Sequence, residues 1–471
     1  MTQVDRRNFL RTAASYTASG VVLAPSLSGL IACNDAVAPA AGAAPRIRRA
    51  GLGEGGYGEL FPDRRLPFLI PRGFNIREIS TAGAPMAGTP GQLVPNALDG
   101  MGCFGMPDGS IRLVRNHEIR DPAAAVLRPL GARPYDARAG GGTTTLEVVI
   151  DQNEEPRVVR EWVSLSGTMV NCAGGVTPDG SWLTCEETAD GVINGRLQPH
   201  GYVFEVPAVA NGECEAVPLK AMGRFAHEAV AIDPATGIVY LTEDAGTTSG
   251  FYRFIPNDTA DYAQGGVLQM LAVVGQPNFD TRNAGPTPAL LPLAPVQTAW
   301  VTIANPDPKL EFGEPRTYTQ GALLGAARFA RLEGAWWGDG SVFFDATSGG
   351  RQQAGQIFQY RPGSEQLVLI YESPSRDTLD SPDNICVSPR GGIVICEDGQ
   401  AGQFIRGLTQ QGHIFDFVRS LDPVDATEFA GACFSPDGKY LFFNTQGSTE
   451  ALGTERGSTF AIWGPWALGA L

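Results

Sequence analysis

Short apolar runs separated by polar turns dominate this sequence from about residue 51 to its end. The runs have the length of β-strands, and Gly, Pro and Asp cluster between them, as is typical of strands joined by tight turns. Helical spacing of apolar residues is confined to short pieces near residues 122–130 and 321–330. The pattern therefore predicts an all-β fold.

A repeated hairpin signal predicts the architecture. Six times, an apolar strand is followed by a tight turn with Gly and by a second apolar strand; the turns are Met106–Gly109, Thr177–Gly180, Asp233–Gly237, Trp337–Gly340, Ser388–Gly391 and Ser435–Gly438. Pro, where present, sets φ for the turn and Gly supplies positive φ, so each turn predicts a β-hairpin. Where no insertion intervenes, the spacing of about 50 residues predicts four-stranded blades around an axis. We therefore expect a six-bladed β-propeller in a single domain, residues 51–471, with a Pro-rich insertion near 277–315.

The N-terminus has the features of an export signal. Arg6 and Arg7 are followed by Phe-Leu and an apolar stretch, which is typical of a twin-arginine signal peptide and predicts one over residues 1–32. The residues before Cys33 match a lipoprotein cleavage box, so we expect Cys33 to be acylated and to anchor the protein; the alternative is cleavage after Ala40, which leaves a soluble protein. Export by the twin-arginine machinery predicts a periplasmic protein, or a lipoprotein of the outer membrane or cell surface.

Between the predicted signal and the predicted propeller, residues 33–50 form an Ala/Pro-rich tether. The whole chain of 471 residues carries 35 Lys and Arg against 50 Asp and Glu, a formal net charge of −15. So acidic a chain is a poor electrostatic match for nucleic acid, and we expect no nucleic-acid partner. Excess carboxylates are suited to hard cations such as Ca²⁺, although composition alone favours a solvated acidic surface. With only four His residues in the chain, a His-rich zinc site is not expected.

Side chains of metal-ligand type mark both strands of every predicted hairpin. The second strands end at Asn116-His117-Glu118, Glu186-Glu187, Glu243-Asp244, Asp345, Glu397-Asp398 and Asn444. The first strands begin beside Asp99, Asn171-Cys172, His227-Glu228, Glu333, Asp383-Asn384 and Glu428. Because the two strands of a hairpin are antiparallel, the start of one lies beside the end of the other. All these clusters are therefore expected at one end of the propeller axis.

Carboxylates gathered around one axis would repel one another unless cations neutralised them. Oxygen ligands favour Ca²⁺ or Mg²⁺, whereas thiolate and imidazole favour transition metals, so Cys172 and His227 among oxygen donors predict a mixed cluster. For a single hairpin, the alternative of a solvated turn residue is the better interpretation. Six hairpins with the same pattern favour a metal site.

Several of these segments, in this order, resemble the PhoX family of alkaline phosphatases. They are Arg115-Asn116-His117-Glu118, Asn171-Cys172-Ala173-Gly174-Gly175 with Thr184-Cys185-Glu186-Glu187-Thr188, Gly223-Arg224-Phe225-Ala226-His227-Glu228, Arg331-Leu332-Glu333-Gly334 and Ser381-Pro382-Asp383-Asn384. The resemblance covers nearly all of the chain after the tether. It implies a six-bladed propeller with a cofactor of two iron and three calcium ions bridged by an oxo group, acting on phosphate monoesters.

The resemblance also implies roles for individual residues. Cys172 resembles the iron thiolate ligand and Glu187 a bridging carboxylate, while Glu228 or Glu243, together with Glu333, resemble further ligands. The residues that resemble calcium or cluster ligands are Asn116, Glu118, Asp383 and Glu397. Arg331 resembles a phosphate contact, and its alternative role is that of a charge partner for a nearby acid.

The expected function is that of a metal-dependent phosphatase whose substrates are small phosphate esters. A phosphate dianion requires concentrated positive charge and an oxygen nucleophile, which multivalent cations supply together. Two alternatives stay open: a calcium-dependent propeller hydrolase such as a lactonase, and a calcium-stabilised binding propeller without catalysis. Cys172 favours the phosphatase, because a site holding Ca²⁺ alone has little use for a thiolate. The natural substrate and the oligomeric state do not follow from the sequence.

Overall fold

Antiparallel β-strands supply most of the regular structure of this chain. The computed structural model describes residues 55–120, 127–399, 402–421, 428–450 and 453–471. The predicted signal peptide, its cleavage site and the tether lie outside the described residues. All described residues belong to one compact unit, Arg48–Leu471.

The described strands begin with β1, β2 and β3 and continue in six groups of consecutive antiparallel neighbours. In chain order, the strands through the third group are β1 (Leu60–Pro62), β2 (Phe68–Pro71), β3 (Asn75–Thr81), β4 (Leu98–Gly105), β5 (Ile111–His117), β6 (Gly141–Ile150), β7 (Pro156–Thr168), β8 (Asn171–Val176), β9 (Ser181–Glu186), β10 (Val203–Pro207), β11 (His227–Ile232), β12 (Val239–Glu243), β13 (Phe251–Pro256), β14 (Gly266–Val273) and β15 (Pro295–Thr302). The first group is β4–β7, the second β8–β10 and the third β11–β15.

The last three groups complete the chain. Their strands are β16 (Leu332–Gly338), β17 (Ser341–Ala346), β18 (Gln356–Arg361), β19 (Gln366–Glu372), β20 (Pro382–Val387), β21 (Ile393–Glu397), β22 (Phe404–Leu408), β23 (Ile414–Ser420), β24 (Phe429–Phe434), β25 (Tyr440–Thr445) and β26 (Ser458–Trp463). The fourth group is β16–β19, the fifth β20–β23 and the sixth β24–β26 with β3 paired to its outer edge. The strands β2 and β1 extend the fifth group beyond β23.

The first strand of each group lies on the inside of a ring. Strands β4, β8, β11, β16, β20 and β24 contact one another in that order, and β24 contacts β4. Antiparallel groups arranged around such a closed ring form a β-propeller, so the predicted all-β propeller fold is confirmed. Hydrogen bonds between β15 and β19 join the third and fourth groups, so that the described strands form five sheets and the count of six blades stays a prediction.

The strands are apolar on both faces because neighbouring groups pack against both. In β17, Val342 and Phe344 lie in one hydrophobic cluster, whereas Phe343, which points the opposite way, lies in another. The Gly residue in each of the six predicted hairpin turns has positive φ, between 66° and 87°. These turns join the first and second strands of each group. The polar clusters lie at the other end of the same two strands.

Helices are few and short in the part of the chain that the structure describes. One α-helix, α1, spans Thr317–Leu323, and the 3₁₀ turns span Val192–Asn194, Lys220–Met222, Tyr262–Gln264, Leu310–Phe312 and Trp466–Leu468. The Pro-rich region 277–315 contributes β15, which pairs with β14 as well as β19. Among the described residues, no helix combines the length and apolar character needed to cross a membrane.

Candidate metal centre

Nine carboxylates meet where the inner strands begin and the second strands end. We call this set the carboxylate array: Asp99, Glu118, Glu187, Glu228, Asp244, Glu333, Asp383, Asp398 and Glu428. They form four triads, in each of which one ligand oxygen per residue lies within 4.8 Å of the others; the triads are Asp99–Glu118–Glu428, Asp383–Asp398–Glu428, Glu228–Glu333–Asp383 and Glu187–Glu228–Asp244. Because Glu428, Asp383 and Glu228 each belong to two triads, the array is continuous.

A β-bulge at the start of the inner strands turns their carboxylates into the array. The antiparallel register shifts next to Asp99, Glu228, Glu333 and Asp383, and each of these is the second residue of its strand. An extra residue on one strand bends it locally and re-aims a side chain, which is why bulges are common beside functional sites. The remaining array residues, except Glu428, are the first residues after a second strand.

Close approach between neighbouring inner strands explains the small residue that follows several of these carboxylates. A Cβ atom on Gly100, next to Asp99, would lie 2.5 Å from the Ala173 Cα atom. A Cβ atom on Gly334, next to Glu333, would lie 2.6 Å from the Ile385 backbone nitrogen. In β4, β11 and β16, an acid followed by Gly or Ala at the start of the strand is therefore a sequence signal of the inner ring.

Burial makes the array electrostatically costly without cations. It raises the pKa of Glu228 well above its usual value, and the neighbouring Glu333, Glu187, Asp383 and Asp244 raise it further. Burial likewise raises the pKa of Asp99, to which Glu118 and Asp383 add. Burial raises the pKa of Glu428 as well, and Asp398 and Asp383 are its strongest charged neighbours. Like charges so close favour either protonation or a bound cation.

Asp345 is a further buried carboxylate that faces the array. It is fully buried, and among the described residues neither of its carboxylate oxygens has a hydrogen-bond partner. Burial raises its pKa well above the usual value, Asp383 and Glu333 raise it further, and the backbone N–H groups of Asp345 and Gly334, which are nearby but not in hydrogen-bonding geometry, lower it. A buried carboxylate with so little hydrogen bonding is the type of group that a cation satisfies.

The position of Asp345 in its strand explains this lack of partners. It is the penultimate residue of the second strand in its group, as Asn116, Thr242 and Asn444 are in theirs. Those three side chains donate to the bulge carbonyls of the next inner strand, at Cys172, Glu333 and Asp99 respectively, over 2.9, 2.6 and 2.6 Å. A carboxyl group can donate only when it is protonated, unlike an amide or a hydroxyl, and Asp345 does not make the equivalent bond.

Two arginines lie at the solvent side of the array. Arg331 donates from Nε to Asp244 over 3.2 Å and from Nη2 to Glu333 over 2.5 Å. Arg120 donates to Glu187 over 2.6 Å and also contacts Glu118. Both guanidinium groups therefore bridge two carboxylates of the array. Arg331 was predicted from the sequence, whereas Arg120 was not.

Cys172 occupies the same position in β8 as Asp99 does in β4, namely the second residue of an inner strand beside a register shift. Its Sγ atom lies 3.2 Å from the His227 carbonyl oxygen and 3.4 Å from that of Glu228. Burial raises the pKa of this thiol well above its usual value, and Glu228 and Glu187 raise it further. The thiol therefore lies beside one end of the array.

Three predicted ligands lie outside the array. Asn116 uses its amide within the protein: Nδ2 donates to the Cys172 and Ala173 carbonyls, and Oδ1 accepts from Trp182 and Thr184. Because every donor and acceptor position of this side chain that the structure describes has a protein partner, Asn116 ties β5 to β8 and β9 and does not point to a cation.

The other two, Glu243 and Glu397, turn away from the array, and the next residue of the chain lies in it instead. Glu243 accepts from the Tyr252 hydroxyl over 2.7 Å, and Glu397 from Arg406 Nε over 2.9 Å. Burial raises the pKa of both to about 7. Successive residues of a strand face opposite sides, so the array receives Asp244 and Asp398 in their place.

His227, which the sequence analysis included in a mixed cluster, is also turned away. Its ring stacks on Phe225 with centroids 3.6 Å apart, and Nε2 lies 3.0 Å from the Gly223 carbonyl oxygen. Burial lowers its pKa to about 3. Of the predicted site residues, the structure brings together Glu118, Glu187, Glu228, Glu333 and Asp383, with Arg331 on two carboxylates of the array and Cys172 beside it.

The ring of antiparallel groups and the buried array define a β-propeller with a candidate polynuclear cation centre. The model of one protein family, the alkaline phosphatase PhoX, matches residues 55–448. The match spans most of the chain and includes every residue of the array. This chain therefore belongs to the PhoX family of alkaline phosphatases.

Solved structures with a similar fold share little sequence with this chain. A gluconolactonase from Xanthomonas campestris is 12% identical with a TM-score of 0.38, over 83% of this chain and 96% of that one. A luciferin-regenerating enzyme is 10% identical with a TM-score of 0.42, over 83% and 96%. Virginiamycin B lyase from Staphylococcus aureus is 11% identical with a TM-score of 0.36, over 83% and 99%. At these values the similarity says nothing about activity. No curated protein sequence matches the chain significantly.

Proposed function

We propose that this chain hydrolyses phosphate monoesters at a cluster of calcium and iron ions held by the carboxylate array. The observation that carries the proposal is the coincidence of the PhoX family match with nine carboxylates in linked triads inside that match. Like charges at this density are stable in a folded protein only when protons or cations neutralise them. Because the chain belongs to a family of phosphatases, whose chemistry multivalent cations support, we expect cations rather than protons to neutralise the array.

The donor set fits such a cluster. Carboxylate oxygens suit Ca²⁺ and other hard cations, and Asp345 adds two buried oxygens without protein partners. Cys172, beside Glu187 and Glu228, is the soft donor that suits iron rather than calcium. We propose the nine array carboxylates, Asp345 and Cys172 as the ligands. From the sequence-based set, this leaves out Asn116, Glu243 and Glu397, which bond within the protein.

In this proposal the array carboxylates and Arg331 have different roles. The array carboxylates hold cations where a phosphoryl group can reach them, and Arg331 binds a phosphoryl oxygen through its planar guanidinium group. Bound multivalent cations supply positive charge for the phosphoryl oxygens and lower the pKa of coordinated water. Partial burial of the array between the propeller groups reduces its contact with bulk water and strengthens these interactions.

Export is part of the proposal. A twin-arginine signal over residues 1–32, a lipid anchor at Cys33 and a tether over 33–50 would deliver the propeller domain, 51–471, to the periplasm or, as a lipoprotein, to the outer membrane or cell surface. Twin-arginine export carries folded proteins, which suits a domain that loads its cations beforehand.

The test combines elemental analysis with an assay. Purified protein should contain calcium and iron and should hydrolyse p-nitrophenyl phosphate; chelation should abolish the activity, and restoring the metals should return it. Glu243→Gln, which alters a buried carboxylate outside the array, is the matched control and should keep its metals. A metal-free protein, or one whose hydrolysis is unaffected by chelation, would refute the proposal. Calcium without iron, together with lactone hydrolysis, would favour the calcium-dependent alternative.

A further inference from the structure

Arg120 is placed at the entrance of the array rather than within it. Its side chain is 33% exposed, whereas the carboxylates it contacts, Glu118 and Glu187, are 5% and 10% exposed. A ligand that approaches Glu118 and Glu187 from solvent therefore meets this guanidinium group before it meets the two carboxylates. Arg120 lies three residues after the end of β5, and no motif in the sequence pointed to it.

The arrangement of Arg120 mirrors that of Arg331. Each arginine contacts a carboxylate two positions away in its own chain segment, Glu118 in one case and Glu333 in the other. Each also contacts a carboxylate from a neighbouring group, Glu187 or Asp244. These last two belong to one triad, which Glu228 completes. The two guanidinium groups thus flank a single triad, and Arg331 is 21% exposed there.

We propose that Arg120 is a second substrate-binding residue, which binds the phosphoryl group of the ester together with Arg331. The inference rests on the phosphatase function proposed above and adds a specificity-determining residue to it. A phosphate monoester is a dianion with several acceptor oxygens, and a planar guanidinium group matches that geometry. Two such groups, in contact with two different members of one triad, favour a doubly charged ligand over a neutral one such as a lactone.

Cation binding explains how the arginines become available to a substrate. Without cations, Arg120 and Arg331 are the positive groups that offset Glu118, Glu187, Asp244 and Glu333. Once cations bind the carboxylates, the attraction between each carboxylate and its arginine weakens, because the same negative charge is already neutralised. Each guanidinium group can then donate to a phosphoryl oxygen instead.

A purely structural role for Arg120 predicts a different outcome. If it only holds Glu118 and Glu187 in place, its removal should disorder these ligands and deplete the metals. If it binds substrate, its removal should weaken phosphate binding while the metal content stays the same. Metal content and phosphate affinity therefore separate the two roles.

The experiment compares Arg120→Gln, Arg120→Lys and Arg331→Gln with Arg157→Gln in the metal-loaded protein. Arg157 is exposed near the opposite end of β7, eleven residues from the end that meets the array, or about 36 Å along a strand. Each variant is measured for calcium and iron content, melting temperature, kcat and KM with p-nitrophenyl phosphate, and the Kd of orthophosphate by calorimetry.

Arg120→Gln should keep its metals, raise the Kd of orthophosphate about tenfold or more and lower kcat/KM similarly, as expected for loss of a charge-assisted hydrogen bond. Arg120→Lys should have values between those of Arg120→Gln and the unaltered protein, since Lys keeps the positive charge but lacks the planar guanidinium group. Arg157→Gln should match the unaltered protein. A wild-type phosphate Kd in Arg120→Gln, or a loss of affinity that follows a loss of metal, would overturn the inference alone. An unaltered protein that neither binds orthophosphate nor hydrolyses the ester would overturn the phosphatase proposal with it.

Discussion

Glu228 provides the sharpest test of the electrostatics of the array. It is fully buried, it belongs to two triads, and four other carboxylates act on it in addition to burial. Glu228→Gln keeps the shape of the side chain but removes the charge. We expect this substitution to stabilise the metal-free protein and, at the same time, to weaken its metal binding.

The size of the effect follows from the direction of the pKa shift. The pKa of Glu228 is raised in the folded state, so above about pH 4.5 the unfolded chain has released a proton that the folded protein still holds. The free energy of unfolding of the unsubstituted protein then falls as pH rises, by about 1.4 kcal/mol for each pH unit in which only the folded state holds that proton. The amide of the Glu228→Gln variant does not titrate, so the advantage of the variant should grow by this amount per pH unit until the folded pKa is reached.

The assay is urea unfolding of chelated protein, followed by tryptophan fluorescence, at pH 5, 6, 7 and 8. The exposed residue Glu59 gives a matched control, and Glu59→Gln should change stability equally little at every pH. The reasoning would be refuted if Glu228→Gln destabilised the chelated protein, or if its effect were the same at pH 5 and at pH 8. Saturating calcium should reverse the ranking, because only the carboxylate gains stability by binding the ion.

Three further predictions concern ligands and anchoring. Cys172→Ser should remain folded, lose iron but keep calcium, and lose most ester hydrolysis; normal iron content would remove the thiolate from the ligand set. Asp244→Asn should lower metal content and activity at least tenfold while Glu243→Gln changes neither, and the reverse ranking would restore Glu243 as the ligand. Cys33→Ala should shift the protein from the membrane fraction to the soluble fraction, whereas a native N-terminus near residue 41 without lipid would contradict the anchor.

The sequence predicted which segments meet and, in Glu118, Glu187, Glu228, Glu333 and Asp383, which side chain turns inward, but it did not do so for every segment. Polar clusters at strand ends are visible because apolar periodicity stops there, and antiparallel pairing dictates that they share one end. The choice between Glu243 and Asp244 depends on the residue at which the strand ends, and strand boundaries are the least predictable feature of a sequence. The same one-residue ambiguity separates Glu397 from Asp398.

Other site features depend on packing between groups that are distant in sequence. Arg120 contacts Glu187, 67 residues later, and nothing local in the sequence announces that contact. Asn116 has the appearance of a ligand in sequence, yet its partners at Cys172 and Trp182 become visible only once the first and second groups pack together. Asp99 and Glu333, by contrast, carry a usable signal in the Gly that follows each of them.

The pairing of β3 with β26 joins the two ends of the propeller domain in one sheet. Tyr57 adds to this closure by donating its hydroxyl to a main-chain oxygen of Leu471. The ring therefore cannot close until β26 has been synthesised: β3 emerges from the ribosome early and must wait for a partner almost 400 residues later in the chain. Contacts of such long sequence separation slow folding, and until they form, the edge of β26 is open to pairing with other chains. A few residues removed from the C-terminus should thus harm folding far more than their number suggests.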